Sequence, residues 1–459
     1  MFEGLYIHTR WNWQIKHPVI RLSFGSGVMR NREELDVRIR DQLRIIRDDL
    51  DLPSGLNSDI AGEFLALIRD AREHHGQAVV VLIDEYDKPI LDNIRDSLKA
   101  QELREGLKNL YSALKDADPY LRMVLLTGVS KFSKVSLFSG LNNLRDITLV
   151  AQYAAICGYT ETDIDEVFKP ELGALDRPTI RDWYNGYRWG GQEVTSVYNP
   201  FDVLLLLQER QFGAYWFETA TPTFLIEILK ERGVFTPSLD HLNAKPQLLG
   251  QFDVDDISIE ALLFQTGYLT IKDVQEPKPG YQVFTLGFPN LEVESSLNDA
   301  LLPALGLNSS RAQQFQIKLL EILRHHDVAG LQAHFEALYA GLAHDWYRNN
   351  PIAQYEGHYA SVFYSHFAAL ALDITVEDAS NHGRVEMTVV FDDHIYLFEF
   401  KVVEQMSDGK ALEQIISKGY ADKYLARGKP IHLIGVEFSS EKREIVAFDV
   451  QTLTPGKCL

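Results

Sequence analysis

The sequence predicts an α/β protein of several domains: a parallel-sheet domain, a helical middle region with a winged-helix-like part, and a C-terminal α/β domain. The chain has 459 residues, which is enough for two or three hydrophobic cores. Short apolar runs alternate with amphipathic helical patterns in the first 150 residues and again in the last hundred. Aromatic-rich helical stretches lie between these two regions.

The first 150 residues alternate between strand and helix patterns. A β-branched apolar run bounded by polar residues predicts a buried strand, and an apolar residue every three or four positions predicts a helix. The alternation indicates a parallel sheet covered by helices. The predicted strands are residues 17–24, 79–83 and 121–128, and the predicted helices are 32–50, 59–73 and 99–116.

The middle region is predicted to be mainly helical from about residue 150 to 300. Its aromatic-rich stretches are 182–189, 197–208, 215–225 and 262–271. In the last of these a helical run passes through Gly267 into a short strand, which suggests a winged-helix-like element. A helical bridge follows over roughly residues 310–348.

The last hundred residues predict a second α/β unit. Two strands joined by a short Asp-Asp turn stand between helices, and two further strands end the chain. The predicted elements are a helix over 353–371, strands over 385–391 and 395–402, a helix over 410–426, and strands over 431–437 and 444–450.

Composition narrows the function classes. The formal net charge of -20 argues against a protein that coats nucleic acid nonspecifically, because phosphate binding depends on Lys and Arg, but a local basic site is compatible with it. The apolar runs are too short to cross a bilayer and the first residues lack the pattern of a signal peptide. We therefore expect a cytoplasmic protein with no membrane partner. Two cysteines in unrelated contexts exclude a disulfide framework.

An acidic pair follows the predicted strand VVVLI. Asp84 and Glu85 stand where a buried parallel strand delivers carboxylates to the carboxyl edge of a sheet, and such a pair usually serves a nucleotide-bound magnesium ion. The chain has no G-x-x-x-x-G-K-[ST] loop to cradle the phosphates. A solvated strand end is the alternative explanation of the pair.

A second polar group lies in GRVEMTVVFDDHIYLFEFKV, residues 383–402. Glu399 and Lys401 are two positions apart on one strand, so their side chains project from one face while Phe400 turns into the core. Glu386 lies on the preceding strand. Two carboxylates and an amine suit metal-assisted phosphodiester hydrolysis, since the acids bind magnesium and the lysine orients water or stabilises the phosphate. A solubilising strand face or a cross-strand ion pair is the alternative.

Several motifs in one order carry a resemblance that extends over essentially the whole chain. They are FEGLYI, LIDEYDKPI, TGVSKFSKVSLFSGLNNL, WYNGYRW, VYNP and YWFETATPTFL. Together they resemble the bacterial family of AAA-ATPase-like proteins that carry a C-terminal PD-(D/E)XK nuclease-superfamily domain. The resemblance implies a P-loop-type domain at 1–150, a helical and winged-helix-like region at 151–305, a helical bridge at 306–350 and a nuclease-like domain at 351–459.

The resemblance assigns roles in the first domain. Asp84 and Glu85 correspond to the Walker B pair, with Asp84 near magnesium and Glu85 polarising water, and Thr127 corresponds to the sensor position. The phosphate loop of the family lies upstream of the residues that match FEGLYI. We therefore expect a truncated P-loop-type domain that lacks the family's first strand and Walker A segment, by a real truncation or a misplaced start. ATPase activity is not expected in this chain, and ATP is expected as a ligand only if the missing loop is supplied.

The resemblance also assigns a second site. Glu386, Glu399, Lys401, Gln414 and Lys418 are the implied catalytic residues, and Glu356, Glu386 and Glu399 are the implied ligands of Mg²⁺ or Mn²⁺. Gln414 and Lys418 are four residues apart and share a helix face. The family usually has Asp where this chain has Glu386, and the added methylene moves the carboxylate outward, which matters to an octahedral magnesium shell.

The charge around this second site indicates the kind of partner that the chain binds. Residues 410–429 carry a local charge of +3, which suits a phosphate-facing surface, although a helix with internal ion pairs would look the same. The predicted function is a metal-dependent nuclease, or a nuclease-fold nucleic-acid-binding protein, with DNA favoured as the partner. The oligomeric state is left open. The alternative is a noncatalytic interaction or scaffold protein that retains both folds.

Overall fold

The structure is a computed structural model that divides into two compact units. The first unit comprises Met1–Ile147 and Ala244–Gly267, and the second comprises Thr148–Asn243 and Tyr268–Leu459. The described residues are 2–53, 59–130, 137–138, 147–190, 194–220, 223–232, 234–249, 258–303, 307–341, 356–380, 383–404, 409–442 and 444–454, without the side chains of 219, 220, 223, 224, 230 and 356–358. No helix in these ranges is long and apolar enough to span a bilayer.

A parallel three-stranded sheet forms the centre of the first unit, as the sequence predicts. Its strands are Val19–Ser23 (β1), Val79–Asp84 (β2) and Leu121–Leu126 (β3), in the order β1-β2-β3. Leu22 pairs with Ile83 and Ile83 with Leu126, so the carboxyl ends of the three strands meet at one edge. This register places the residues after β2 beside those after β3.

Side-chain caps begin the long helices of the first unit. Asn31 and Asp59 each accept a backbone N–H from the first turn, and Gly76, with φ of 66°, ends the second helix in the left-handed conformation. The helices are Arg32–Asp49 (α1), Ile60–His75 (α2), Lys88–Leu91 (α3), Ser97–Asp116 (α4), Pro246–Leu249 (α10) and Ile259–Gln265 (α11). The three long predicted helices therefore form close to their predicted limits.

The middle region is helical, as predicted. Its helices are Lys169–Leu172 (α5), Arg177–Tyr184 (α6), Pro200–Glu209 (α7), Tyr215–Ala220 (α8), Thr223–Glu231 (α9) and Leu291–Leu301 (α12). Tyr184 and Tyr198 are fully buried among aliphatic residues, so the aromatic motifs supply a small core of their own. A short 3-10 helix, Thr236–His241, packs against α15 (Glu356–Ala368) of the C-terminal domain.

A small three-stranded sheet follows in the middle region, and its strands β5 and β6 are antiparallel. Leu242–Ala244 (β4), Thr270–Lys278 (β5) and Tyr281–Gly287 (β6) lie in the order β4-β6-β5. The chain thus passes from α11 into a β5–β6 hairpin at the position where the sequence predicts a winged-helix-like element. The hairpin is longer than the predicted short strand, since β5 has nine residues.

A five-stranded sheet forms the C-terminal domain, in the order β11-β10-β9-β8-β7. Only β9 and β10 are parallel, and two short helices connect them. The strands are Asp373–Ser380 (β7), Gly383–Phe391 (β8), His394–Val403 (β9), Ile431–Ser439 (β10) and Ile445–Leu453 (β11). The helices are Ser309–Arg324 (α13), Val328–Ala340 (α14), Glu356–Ala368 (α15), Lys410–Ser417 (α16) and Asp422–Leu425 (α17).

Each face of this sheet carries its own hydrophobic core. On one face α13, α14 and α15 pack against Phe398, Phe400 and their neighbours, with Phe335 stacked on Phe363 at 3.7 Å between ring centroids. On the other face α16 and α17 cover Leu397, Leu433 and adjacent residues. The alternation of side chains along β9 therefore sends the aromatic residues to one core and leaves Glu399 and Lys401 beneath α16.

Two features of this domain differ from the predicted elements. Strand β7 was not predicted, because its sequence DITVEDAS is rich in acidic residues and it lies at the sheet edge, where most of its side chains are exposed or half-exposed. The helix predicted over 410–426 is two helices, because Gly419 takes the left-handed conformation with φ of 58° between them.

Two histidines lie buried between α14 and α15. The Nε2 atoms of His334 and His366 are 3.0 Å apart, and aromatic rings including Phe315 and Phe335 surround them. Burial lowers the pKa of His334 to about 4 and that of His366 to about 3. Both imidazoles are therefore neutral in the folded protein at pH 7, and one ring donates to the other.

We predict that α15 loosens as the pH falls from 6.5 to about 4. The folded pKa values lie below the unfolded value near 6.5, so the unfolded chain gains protons first and stability is lost on acidification. Hydrogen exchange of α15, corrected for intrinsic rates, should show at least about a tenfold loss of protection between pH 7 and pH 5. The double variant His334→Leu/His366→Leu should flatten this dependence, whereas the exposed His241→Leu should not. Equal pH dependence in parent and double variant would contradict the prediction.

Two buried carboxyl groups accept backbone N–H groups from the first turn of helix α8. Asp202 and Glu292 are fully buried and hydrogen-bonded to each other. The Trp216 N–H donates to Asp202 Oδ1 at 2.8 Å and to Glu292 Oε1 at 3.0 Å, and the Phe217 N–H donates to Glu292 Oε1 at 3.2 Å. Burial, together with the charge of Asp202, raises the pKa of Glu292 to about 9, and burial raises that of Asp202 to about 6. Glu292 therefore carries the shared proton at pH 7.

We predict opposite outcomes for two substitutions of Glu292. Glu292→Gln keeps a neutral group that donates to Asp202 and accepts the backbone N–H groups, so its unfolding free energy should stay within about 1 kcal/mol of the parent. Glu292→Ala leaves buried polar groups unpaired and should cost about 3 kcal/mol. Denaturant midpoints measure both, with the exposed Glu209→Gln and Glu209→Ala as matched controls. Equal losses for Gln and Ala would show that the proton is not held there.

Candidate functional site

The β8–β9 hairpin places the predicted polar residues on one part of the sheet. Phe391 pairs with His394 across the turn, and the ladder continues to Met387 and Phe398. Beyond that pair Glu399 and Lys401 face α16, while Phe400 is 2% exposed and packs in the opposite core. The predicted alternation along β9 is therefore present.

Glu399 is the centre of this group. It is 1% exposed, and its Oε1 atom lies 3.8 Å from the Lys401 Nζ. The amide of Gln414 on α16 donates a hydrogen bond to the same oxygen. Burial of a carboxylate is costly unless a cation or hydrogen-bond donors stay close to it. The structure thus brings together three of the predicted residues, with Lys401 reaching solvent through the third of its side chain that is exposed.

Glu386 approaches the same strand from β8. The Phe400 N–H donates to Glu386 Oε2 at 2.7 Å, in place of a backbone partner, because the β8–β9 ladder has ended two residues earlier. The carboxylate of Glu386 therefore lies against the peptide group that joins Glu399 to Phe400. The second methylene of the glutamate gives it the length for this contact.

Helix α16 is held against the sheet by β10. Its N-cap is Gly409, with φ of 69°, which has no side chain to accept the first N–H groups. The buried Glu437 of β10 accepts the Ala411 N–H at 3.2 Å instead. At Gly435 a Cβ would lie 2.3 Å from the Leu412 nitrogen, so only glycine allows the helix to approach this closely. Both contacts fix the position of Gln414.

Neither Glu437 nor Gly435 was found from the sequence. Glu437 pairs with Lys401 and Gly435 with Glu399 in the parallel β9–β10 register. The available signal was an acidic residue inside the apolar run IHLIGVEF, which is unusual for a central strand. Its partner on α16 is distant in sequence, so the pattern gave no indication of what the carboxylate contacts.

The remaining predicted site residues are less closely associated. Lys418 is the exposed C-cap residue of α16, and among the described residues it makes no hydrogen bond or ion pair with Glu399. Helix α15 begins at Glu356, whose side chain lies outside the described residues. Its predicted role as a metal ligand therefore stays a prediction.

The predicted basic surface is partly occupied by internal contacts. Lys423 pairs with the buried Asp378, and Lys429 lies 3.5 Å from Asp393. The guanidinium of Arg427 stacks over the Tyr424 ring at 4.9 Å. The local charge of +3 is therefore not all available to a ligand; Lys410 at the start of α16 and Lys418 at its C-cap are exposed members of the set.

The first unit brings its own predicted residues together at the carboxyl edge of the sheet. Thr127 Oγ1 donates to Asp84 Oδ1 at 2.7 Å, and Arg21 NH2 lies 3.8 Å from Asp84 Oδ2. Glu85 follows with φ of 56°, a conformation that non-glycine residues adopt rarely. Burial, with the charges of Asp87 and Asp84, raises the pKa of Glu85.

Asp87 is a further residue at this edge that the sequence analysis missed. It is fully buried and accepts hydrogen bonds from the Ser130 N–H and from Ser130 Oγ at 2.7 Å. A Cβ at Gly128 would lie 2.3 Å from Asp87 Oδ1. Asp87 thus joins the loop after β2 to the loop after β3, and burial raises its pKa.

Within the described ranges, no three His, Cys, Asp or Glu side chains gather closely enough to hold a metal ion. The candidate ligands in the second unit are the two carboxylates Glu386 and Glu399. Magnesium often keeps several waters and takes only one or two protein carboxylates, so this donor set fits such an ion.

Comparisons with known proteins cover both regions. Residues 1–138 match a family model described as a predicted AAA-ATPase, AAA-ATPase-like, and residues 354–448 match one for the PD-(D/E)XK nuclease superfamily. A protein of Azotobacter chroococcum mcd 1, described as an uncharacterized protein in the vnfD 5′ region, is 55% identical over 455 residues, which are 99% of this chain and 87% of that protein. No solved structure matches.

Each matched region contains one of the two groups of predicted site residues. The first contains Asp84, Glu85 and Thr127 at the edge of the parallel sheet, and the second contains Glu386, Glu399, Lys401 and Gln414 around β9. The chain therefore belongs to the AAA-ATPase-like family whose members carry a C-terminal PD-(D/E)XK nuclease-superfamily domain.

Proposed function

We propose that the C-terminal domain is a metal-dependent nuclease that hydrolyses phosphodiester bonds of nucleic acid, with DNA as the favoured substrate. The observation that carries this proposal is the buried carboxylate of Glu399 beside the Lys401 ammonium and the Gln414 amide. A solubilising strand face would leave Glu399 exposed to water, but it is 1% exposed. Lys401 and Gln414 offset part of the cost of burying this carboxylate, and a buried carboxylate held beside a part-exposed cation is the arrangement expected of a binding site.

The proposed role of each residue at the site follows from its charge. Glu386 and Glu399 would hold Mg²⁺ or Mn²⁺, which when bound supplies positive charge to the phosphate and lowers the pKa of a water. Lys401, part-exposed and next to Glu399, would stabilise the negative charge that develops on the phosphate. Gln414 holds one oxygen of Glu399 and so limits its orientation. Lys418 and Glu356 are proposed as supporting residues.

The proposed nucleic-acid partner must be bound by cations close to the site. The formal charge of -20 opposes a general attraction to phosphates, so the contact has to come from a few cations near the site. The part-exposed Lys401 and the exposed Lys418 are such cations. This arrangement favours hydrolysis at defined positions over coating of a long duplex.

The first unit is proposed as an accessory to this activity. Asp84 and Thr127 share a hydrogen bond at the sheet edge, which suits a nucleotide-bound magnesium ion with Glu85 beside it. No G-x-x-x-x-G-K-[ST] segment is present in the chain to bind the phosphates. ATP binding is therefore proposed only for the chain supplied with a phosphate loop.

We predict that cleavage depends on Glu399 and Lys401 together with a divalent ion. Glu399→Gln removes a metal-binding charge at nearly constant shape, and Lys401→Ala removes the cation that would face the phosphate. Each should lower Mg²⁺-dependent nicking of a plasmid at least about a hundredfold, as expected when a positioned charge is lost from a transition state.

Two exposed residues supply the charge-matched controls. Glu413 lies on α16 next to Gln414, and Lys442 lies in the β10–β11 turn. The control variants are Glu413→Gln and Lys442→Ala. Both should nick the plasmid at the parental rate. If the parent shows no metal-dependent cleavage under any condition, or if the site variants equal the controls, the noncatalytic scaffold becomes the better explanation.

A further prediction concerns Glu437 as a positioning residue. Glu437→Ala removes the acceptor for the Ala411 N–H, which should cost about 2 kcal/mol of stability and let α16 move from Glu399. Glu437→Gln keeps an oxygen at the same place and should restore most of the loss. Exchange of the Ala411 amide measures the contact, and kcat at saturating substrate measures its effect on the site.

The pattern across variants separates positioning from general destabilisation. Gln414→Ala should reduce kcat as Glu437→Ala does, but it should leave the Ala411 amide protected. A Glu437→Ala variant with fast exchange at Ala411 and an unchanged kcat would show that α16 does not orient Glu399.

A further inference from the structure

One flank of helix α16 carries a lysine on each side of Gln414. Lys410 is the first residue of the helix and Lys418 is its C-cap residue, so each is four positions from Gln414. Residues four apart lie within about 40° of each other around a helix axis, and the two lysines therefore share a flank with Gln414. This flank faces the site, because the Gln414 amide donates to Glu399.

The positive charge of α16 is confined to this flank. In the segment GKALEQIISK, residues 409–418, the two lysines are the basic residues. Ala411 and Ile415 are each 1% exposed and face the sheet. The exposed Glu413 lies about 100° around the axis from Gln414, and the exposed Ile416 is apolar. An anion that approaches α16 therefore meets cations on the side where Glu399 is held.

Lys418 has no carboxylate partner. In the ranges that the structure describes it forms no ion pair, whereas Lys423 of the next helix pairs with the buried Asp378. Lys410 is exposed and also contacts other residues of the chain. A lysine ammonium has three N–H donors, so Lys410 can add a phosphate contact to those it already makes. Both ends of the flank can thus contact an anionic ligand.

The spacing of the lysines matches the spacing of phosphates along a DNA strand. A helix rises about 1.5 Å per residue, so each lysine stands about 6 Å along the axis from Gln414. One strand of a duplex presents a phosphate about every 3.4 Å along the duplex axis. A strand that runs along α16 therefore brings a phosphate to each lysine, about two nucleotides from the phosphate beside Gln414.

The other side of the site is acidic. Helix α16 lies over β9 and β10, and β7 is two strands from β9 in the opposite direction. Strand β7 carries the exposed carboxylates of Asp373 and Glu377, and Arg384 pairs with the second of these. Adjacent strands are about 4.8 Å apart, so these charges are within roughly a Debye length of the site. A phosphate backbone is therefore favoured on the α16 side and disfavoured on the β7 side.

We propose that this flank of α16 binds the phosphodiester backbone of one strand of duplex DNA, with Lys410 and Lys418 on phosphates about two nucleotides to either side of the cleaved bond. The proposal deepens the proposed nuclease function and rests on it for the position of that bond. Glu399 and Lys401 would act on the central phosphate, while the lysines of α16 hold the strand in register. Backbone contacts position a strand without reading its sequence, so this surface confers no base preference.

Binding of the full chain to duplex DNA in EDTA tests the surface without cleavage. The probe is a short fluorescein-labelled duplex, followed by anisotropy over a series of salt concentrations. Lys418→Ala should reduce the slope of log K against log [salt] by about 0.9 and weaken binding roughly eightfold near 0.1 M salt, because one phosphate contact is lost. Lys418→Arg keeps the charge and should keep the slope.

A second exposed lysine supplies the matched control. Lys442 lies in the β10–β11 turn, and Lys442→Ala should leave the slope at the parental value. Lys410→Ala should repeat the effect of Lys418→Ala, and the double variant should lose about twice as much slope. Equal slopes in the parent and Lys418→Ala would overturn the proposal, as would equal losses in Lys418→Ala and Lys442→Ala. A parent chain without salt-dependent binding would overturn it as well.

Cleavage in Mg²⁺ locates the two contacts relative to the cleaved bond. Each duplex in a series carries one neutral methylphosphonate linkage at a different position, and the cut bonds are mapped on a sequencing gel. Cleavage should fall at least about fivefold at bonds roughly two nucleotides from the neutral linkage, on both sides, and less than about twofold at bonds five or more nucleotides away. Lys418→Ala should abolish the effect on one side, and Lys410→Ala on the other. Equal interference in the parent and both variants would overturn the assignment.

The two experiments separate this proposal from the nuclease function. A reduced salt slope in Lys418→Ala without any metal-dependent cleavage would refute the nuclease and leave the backbone-binding surface in place. Metal-dependent cleavage with an unchanged slope in the same variant would refute the surface alone.

Discussion

The contact between helix α16 and strand β10 determines the geometry of the C-terminal site. Gly435 lets the two backbones touch, and Glu437 supplies the acceptor that Gly409 cannot provide at the helix N-terminus. Gln414 stands one turn along this helix, and its distance from Glu399 follows from where the helix begins. The central carboxylate therefore has its orientation set by groups that never touch a substrate.

Buried polar groups recur throughout the second unit, and each is compensated differently. Glu399 is matched by a lysine and an amide, His334 and His366 by each other, and the two carboxyls at α8 by a proton and two backbone N–H groups. Unpaired, each would cost on the order of 1–3 kcal/mol or more. Truncation at any of these positions would leave the partner without a contact, whereas a neutral isostere would keep it.

The features of the fold that depend on local periodicity could be predicted from the sequence. Strand-helix alternation was sufficient for the parallel sheet, and the two-residue period placed Glu399 and Lys401 on one face with Phe400 in the core. The strand at the edge of the C-terminal sheet was missed because acidic residues mask its pattern. The break at Gly419 was missed because a left-handed glycine inside a helical pattern gives little local signal.

Residues whose role depends on a distant partner could not be predicted. Asp87 acquires its function from Ser130, and Glu437 from Ala411, through contacts that only the packed structure defines. Thr236 is the extreme case, because its hydroxyl contacts Ser365 of α15 at 2.9 Å from 129 residues away in the sequence. The proton held between Asp202 and Glu292 also changes the charge that the protein presents to its surroundings. Counting every carboxyl as an anion gives -20, but Glu292 is uncharged at neutral pH, so the electrophoretic mobility of the folded chain should be that of a protein about one unit less negative.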